Sequence, residues 1–404
     1  MKYCLFEDEA YIDLLPLTFI RPVYELQVGI FSFLDRWKYV LGRTNDVRGV
    51  SLRDIQVKHE ALSNHRLHWI NARFLPEADF LQLIHSMGEN TCYLNAAGEI
   101  LCFHTQSFSH TSLTQEAITI ETCEAIGVKV EKTQLDPPAI RRCTDLFSKI
   151  PIFFNWDFDY VLKNFPSQPI RDRHTAIYGK DNIWVGEEAK IEAAILHAEN
   201  GPIYLGPYAA VQPGAIIMGG HAIGRGATVG IGAKLRADSV IGAHAKVAGE
   251  VKNSLISAYA NKGHEGYMGN TVIGVGCNWG ADTNVSNMKN TFSTVKQWSY
   301  RHRAMQDTSL NFCGTIMGDY SRTGINTMLN TGTVTGVSAH VFGEGFPPKF
   351  IPSFSWGKNQ TYELTKAVEG ARRHLALKGR ELSSVEEASL SKVFKETSVF
   401  RSWE

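Results

Sequence analysis

The 404-residue chain carries no charge imbalance: 41 Lys+Arg stand against 41 Asp+Glu. Such a chain has no bulk field for nucleic acid or an anionic membrane, so neither is expected as a partner. No apolar run approaches the roughly 18 residues of a transmembrane helix. The start, Met1-Lys2-Tyr3-Cys4-Leu5-Phe6-Glu7-Asp8-Glu9, turns acidic at once. It lacks the longer apolar stretch and cleavage site of a signal peptide, and the expected location is cytoplasmic. The seven cysteines are odd in number and widely spaced, with no Cys-x-x-Cys. Reduced, mostly buried thiols are expected, and no metal site. Apolar content of 44% with 20% charged residues excludes long disorder. At about 150 residues per domain, the length predicts two or three domains.

What the chain has is a repeat. From Leu205 an aliphatic residue recurs at every sixth position: Leu205, Val211, Ile217, Ile223, Val229, Leu235, Ile241, Val247. Small residues follow four places after most of these (Ala209, Ala215, Ala227, Ala233, Ser239, Ala245), and glycine often follows directly (Gly206, Gly224, Gly230, Gly242). Val185-Gly186 precedes the run. Ile273-Gly274, Trp279-Gly280, Met317-Gly318, Thr323-Gly324, Leu329-Asn330, Thr335-Gly336 and Val341 continue it. The period is neither helical nor that of a free strand. It predicts a parallel β-helix with three flat faces, the aliphatic residue inward and glycine at the corner. Residues 257–270 and 284–315 break the period and are expected to leave the coil as loops, where function commonly sits.

The α/β domain is expected over residues 1–180, the β-helix over 181–350 and a helical extension over 351–404. The first has strand-like pieces (Lys2–Phe6, Leu67–Ile70, Thr91–Leu94, Ile100–Phe103) and helix-like ones (Phe31–Tyr39, Glu77–His85). Residues 359–396 carry helical spacing and should pack back on the β-helix. Asp157 and Asp159 are read as a capped turn rather than as magnesium ligands.

After the hexads come Glu250-Val251-Lys252, Gly263-His264 with Tyr267 and Gly269, Asn278-Trp279-Gly280-Ala281, and Asn287. In this order they resemble the acyltransferase domain of the bifunctional N-acetylglucosamine-1-phosphate uridylyltransferase / glucosamine-1-phosphate N-acetyltransferase family. The resemblance implies a left-handed coil and a homotrimer with acetyl-CoA bound between subunits. It implies His264 as general base, with Glu250 fixing its tautomer. Lys252, Tyr267, Asn278 and Asn287 would bind the sugar phosphate. A histidine suits the task because an acetyl acceptor amine must lose a proton near neutral pH. One departure concerns the family's phosphate-binding arginine before a Pro-Gly, a position read here as Gln212 before Pro213-Gly214. The 284–315 segment carries Lys296, Arg301, His302 and Arg303 around Trp298 and Tyr300. These are either a solvated face or substitute contacts for phosphate or the nucleotide of CoA.

Leu15-Pro16-Leu17-Thr18-Phe19-Ile20-Arg21-Pro22-Val23 resembles the Pro-Leu-Thr-x-x-x-Pro-Lys stretch of sugar-1-phosphate nucleotidyltransferases. Glu7-Asp8-Glu9-Ala10 stands where those enzymes have a glycine-rich phosphate loop. Arg73 stands where they have a metal-binding aspartate. Arg21 and Arg73 are therefore the candidates for nucleotide phosphate, set against the plainer reading of each as a structural arginine. Mg2+ and UTP are the implied requirements if this domain is active. The expected function is acetylation of glucosamine 1-phosphate, then uridylyl transfer giving UDP-N-acetylglucosamine. The alternatives are an acyltransferase with a non-catalytic first domain, or a non-catalytic β-helix scaffold.

Overall fold

A computed structural model describes residues 2–42, 45–51, 53, 67–105 and 117–403. The chain divides into two compact units. The first runs to Leu14 and takes in Arg21–Gln27 and Phe31–Arg142; the second comprises Leu15–Ile20, Val28–Ile30 and everything from Cys143 on.

The first unit is built on strands β1 (Lys2–Phe6), β2 (Asp46–Gly49), β3 (Leu67–Asn71), β4 (Thr91–Leu94), β5 (Ile100–Thr105) and β6 (Lys129–Lys132), in the order β2-β1-β3-β5-β4-β6. Strand side chains alternate between faces, so Cys4, Phe6, Trp69, Cys92 and Phe103 gather into one core. Helices α1 (Phe33–Leu41), α2 (Ala78–His85) and α3 (Ile120–Ala125) complete it. Ser32 caps α1, accepting from the Asp35 N–H at 3.1 Å. Because β1 and β3 are parallel, their carboxyl ends share one edge of the sheet. Strand β5 is antiparallel to β3 and begins at that edge, just after Glu99. The carboxyl ends of parallel strands are where α/β sheets bind ligands.

The second unit begins with α4 (Asp145–Ser148) and α5 (Ile150–Asn164). Asp157 is buried within α5 and accepts the Ile30 N–H at 2.8 Å. Asp157 and Asp159 therefore sit on a helix, not in a capped turn. A parallel β-solenoid follows, as the hexads predict. A six-stranded face runs from Ala176–Tyr178 to Tyr267–Gly269, a nine-stranded face from Ile183–Val185 to Phe350–Ile351, and a five-stranded face from Lys190–Ile191 to Asn261–Lys262. The inward aliphatics from Leu205 to Val247 form one continuous buried core. Gly206 shows why a corner needs glycine: a Cβ there would stand 2.9 Å from the Arg225 nitrogen of the next coil. Buried hydroxyls tie successive coils together. The Ser254 N–H donates to Ser239 Oγ at 3.1 Å, Thr271 to Ser254 at 3.2 Å and Thr315 to Thr271 at 3.1 Å.

The faces meet different surroundings. On the nine-stranded face Trp184, Val240, Leu255, Val272, Ile316 and Val334 are buried although they alternate with the inward residues. The C-terminal segment covers the last strand of the five-stranded face and its continuation through Asn278 to Arg322–Thr323 and His340–Val341. Tyr362 packs on His340 at 4.3 Å, Arg322 donates to the Gly370 carbonyl at 2.9 Å and Lys378 to Asn261 Oδ1 at 2.8 Å. Those contacts lie in and beside α6 (Leu364–Ala376), which packs with α7 (Ser384–Glu396) on Tyr320, Val337 and Phe354. The six-stranded face keeps exposed side chains, among them Tyr178, Ile195 and Met218.

The two aperiodic segments behave differently. Residues 257–270 stay in the solenoid, because Asn261–Lys262 and Tyr267–Gly269 are strands paired with the preceding coil. Only residues 263–266 bulge from the corner, because Lys262 and Met268 are six positions apart whereas their partners on the preceding coil, Val247 and Val251, are four apart. Of residues 284–315, Asn284–Val285 remain a solenoid strand paired with Met328–Leu329, and the chain leaves the coil only after them, forming a hairpin of Lys296–Ser299 with Ala304–Asp307. Trp298 stacks on Phe350 at 4.2 Å and buried Tyr300 packs edge-on to Phe400 at 5.4 Å. The aromatic part of that cluster is thus a packing base, and Lys296, Arg301, His302 and Arg303 are exposed around it. All seven cysteines are buried and free. Among the described residues no helix is long and apolar enough to cross a membrane.

Candidate functional site

The six-stranded face gathers most of the residues singled out in the second unit. Lys234, Glu250 and Tyr267 are successive register partners, flanking the inward Leu235, Val251 and Met268. Lys252 and Gly269 form the neighbouring column, and Arg236 follows Leu235 into line with it. Arg236 Nη1 binds Glu250 Oε1 at 2.7 Å. Asn287 Nδ2 donates to the Tyr267 hydroxyl at 3.1 Å and to Asn270 Oδ1 at 2.9 Å. A Cβ on Gly269 would stand 2.4 Å from that hydroxyl and 2.6 Å from Asn287 Nδ2, so a side chain there would displace the pair. Burial raises the Tyr267 phenol above its ordinary range and keeps it protonated, a donor as well as an acceptor.

His264 stands on the 263–266 bulge, exposed, at the corner between the five- and six-stranded faces. Among the described residues its ring has no hydrogen-bond partner. Glu250 is engaged with Arg236 and makes no bond to this imidazole. Asn278 lies around the corner on the five-stranded face, accepting from Asn261 Nδ2 at 3.2 Å. The fold therefore brings together Glu250, Lys252, Tyr267 and Asn287, sets His264 beside them, and places Asn278 apart.

Arg236 was not singled out from the sequence. Its signal is the outward-inward-outward triplet Lys234-Leu235-Arg236 on the coil before Glu250-Val251-Lys252. Gln212 follows Ala210–Val211 on the five-stranded face, away from this column.

In the first unit, Arg73 is almost fully buried at the shared strand edge. Its Nη2 binds Asp8 at 2.7 Å and Glu99 at 2.9 Å. Arg141 binds the other Glu99 oxygen at 2.6 Å and Asp136 at 2.8 Å. Asn71 donates to Asp8 and Asn95 to Glu99. Glu7, also buried, is held by Arg53 through Nε at 2.8 Å and Nη2 at 2.9 Å, and by the Val23 N–H at 3.0 Å. Arg21 is half-buried, and its carbonyl accepts from Arg53 at 3.2 Å. Here acidic side chains and arginines pair with one another at the position expected for a phosphate cradle, leaving buried Arg73 Nη1 without a hydrogen-bond partner among the described residues. Mg2+ does not fit these residues, because Asp8 and Glu99 already share a guanidinium. Among the described residues no three His, Cys, Asp or Glu are grouped to hold a metal.

Burial alone would raise the Glu99 carboxyl, but Arg141, Arg73 and Asn95 outweigh it and bring it down to about 2. Its ordinary value in an unfolded chain is about 4.3. The depressed value means stabilisation present above about pH 4.3 and lost as pH falls towards 2. The urea midpoint of the first unit should therefore drop between pH 5 and pH 3. Glu99→Gln should flatten that drop; an unchanged drop would rule Glu99 out as its source.

Several solved structures resemble the chain in part. The UDP-N-acetylglucosamine acyltransferase from Campylobacter jejuni is 13% identical over 55% of this chain and 82% of its own, with a TM-score of 0.25. The polySia-specific acetyltransferase NeuO is 13% identical over 51% and 96%, at 0.23. The UDP-N-acetylglucosamine acyltransferase from Arabidopsis is 13% identical over 55% and 88%, at 0.17. At these identities and scores the likeness says nothing about activity. No curated protein sequence matches significantly. Residues 3–164, which span the α/β sheet and its charge network, match the family of sugar nucleotidyl transferases.

Proposed function

We propose that the second unit transfers the acetyl group of acetyl-CoA to the amine of glucosamine 1-phosphate. The observation that carries this reading is the convergence of Arg236, Glu250, Lys252, Tyr267 and Asn287 on one face beside an exposed histidine. Arg236 and Lys252 supply positive charge for the sugar phosphate, with Glu250 orienting the guanidinium. Tyr267 and Asn287 bind sugar hydroxyls. His264 takes the proton that the amine loses as its nitrogen attacks the thioester carbonyl. The carbon–sulfur bond then breaks, and the thiolate leaves as CoA after gaining a proton. In this reading the chain is a homotrimer, with the exposed apolar coils around Tyr178, Ile195 and Met218 against a second copy and acetyl-CoA between subunits.

The match of residues 3–164 supports a further step in the first unit, uridylyl transfer from UTP to the acetylated sugar phosphate. The mutual pairing of Asp8, Glu99, Arg73 and Arg141 favours a second reading, in which that unit is not catalytic. Pyrophosphate release from UTP and N-acetylglucosamine 1-phosphate separates the two.

The acetyl-transfer reading is tested by thiol release from acetyl-CoA with glucosamine 1-phosphate and with glucosamine. The phosphorylated acceptor should be strongly preferred. Arg236→Ala should raise its KM about 10–100-fold, the worth of a hydrogen bond to a charged group, with little change for glucosamine. No thiol release with the phosphorylated acceptor would overturn the reading.

A further inference from the structure

Lys262 sits where the solenoid calls for an aliphatic side chain. The register runs Ile191, Val211, Val229, Val247, Lys262, and the first four belong to the buried core. Lys262 is only 2% exposed. Burying an ammonium costs several kcal/mol unless its protons are bonded. Among the described residues no carboxylate lies close enough to form an ion pair with it. Instead Nζ donates to two successive backbone carbonyls of the bulge, those of His264 and, at 3.2 Å, Glu265.

The surroundings are shaped to this arrangement. Gly249, on the preceding coil, has a φ of +71°, and a Cβ there would stand 3.0 Å from Lys262 Nζ and 3.0 Å from the His264 oxygen. Gly266 closes the bulge at a φ of +116°, where a Cβ would stand 2.3 Å from the Thr283 carbonyl. The Asp282 N–H shares the Glu265 carbonyl at 3.2 Å. The His264 side chain contributes no hydrogen bond of its own to holding the segment. The neighbouring coils add the Glu250 N–H bond to the Gly266 carbonyl at 3.3 Å and the exposed Lys234–Glu265 ion pair at 3.5 Å, and Lys262 alone holds the bulge from the interior.

We propose that Lys262 is the positioning residue of this site: its buried ammonium fastens the 263–266 bulge from inside and so fixes where His264 stands. The catalytic meaning of that placement rests on the acetyl-transfer reading; the clamp itself does not. Burial is the main influence on the ammonium and holds its pKa down to about 8, with Lys234 acting in the same sense and Glu265 and Asp282 opposing. Deprotonation above that pH weakens the donor, so the bulge should loosen as pH rises through about 8.

The test compares Lys262→Met and Lys262→Gln with the full wild-type chain by hydrogen–deuterium exchange and acetylation kinetics. Methionine keeps the apolar stem and removes the donors. Its thermal midpoint should equal or exceed that of the wild type, because apolar replacement of a buried charge is commonly neutral or stabilising. Amides of residues 263–267 should exchange at least about tenfold faster, with the strands at Val247 and Val251 unaffected. The kcat should fall about 10–100-fold with the KM for acetyl-CoA unchanged, as expected for a displaced catalytic group. Glutamine, which keeps a donor, should lie between. The wild-type bulge should lose protection through about pH 8, relative to intrinsic exchange, and the methionine variant should not. Unchanged exchange at 263–267 in both variants overturns the clamp. Faster exchange with unchanged kcat overturns its role in placing His264. If the wild type shows no acetylation yet the bulge loosens in both variants, the clamp stands and the acetyl-transfer reading falls.

Discussion

His264→Ala should lower acetyl transfer to glucosamine 1-phosphate by about 10²–10⁴-fold, the usual worth of a general base. The fold should survive. The imidazole is exposed on the bulge and bonds to nothing among the described residues, so its loss opens no cavity. The carbonyl that receives the Lys262 ammonium belongs to the backbone, and alanine retains it. The KM for acetyl-CoA should stay near the wild-type value, which separates a missing base from a damaged binding face. Steady-state thiol release and circular dichroism check both halves. Near-normal acetylation would make the histidine a bystander and remove the catalytic assignment.

Arg73→Met should destabilise the first unit by about 3–5 kcal/mol, the range for breaking a buried ion pair by removing one partner. The guanidinium is almost fully buried and binds two carboxylates from different segments, Asp8 after β1 and Glu99 before β5. Without it both acids remain at the strand edge, less than a quarter exposed. Arg141 still serves Glu99, whereas Asp8 is left with the Asn71 amide and the Ala10 N–H, so Asp8 carries most of the effect. Urea titration of the full chain, followed by amide exchange in β1 and β3, reads the loss. A change under about 1 kcal/mol would mean that solvent replaces the arginine, and that the network is not a structural element of this edge.

The solenoid is legible in the chain because its period is its geometry. When every sixth side chain points inward, listing Leu205 to Val247 is already a description of the core, and nothing distant can alter it. The strands and helices of the first unit were visible for a similar local reason, since alternation and helical spacing are properties of short segments. The motif around His264 could also be read, and with it the histidine proposed as the base. Its surroundings could not. Arg236 meets Glu250 because adjacent coils stack in register, and that register depends on how many residues each turn uses. The six-residue count does not mark Lys262 as inward, because the coil from Val247 is shortened, which breaks the count while leaving the inward position in place. Arg73 could be read either as a phosphate ligand or as a structural arginine, and only the meeting of three strand ends, which surrounds it with Asp8 and Glu99, separates the two. Periodicity tells which way a side chain points; which charges it meets depends on segments distant in the chain, and only packing brings those together.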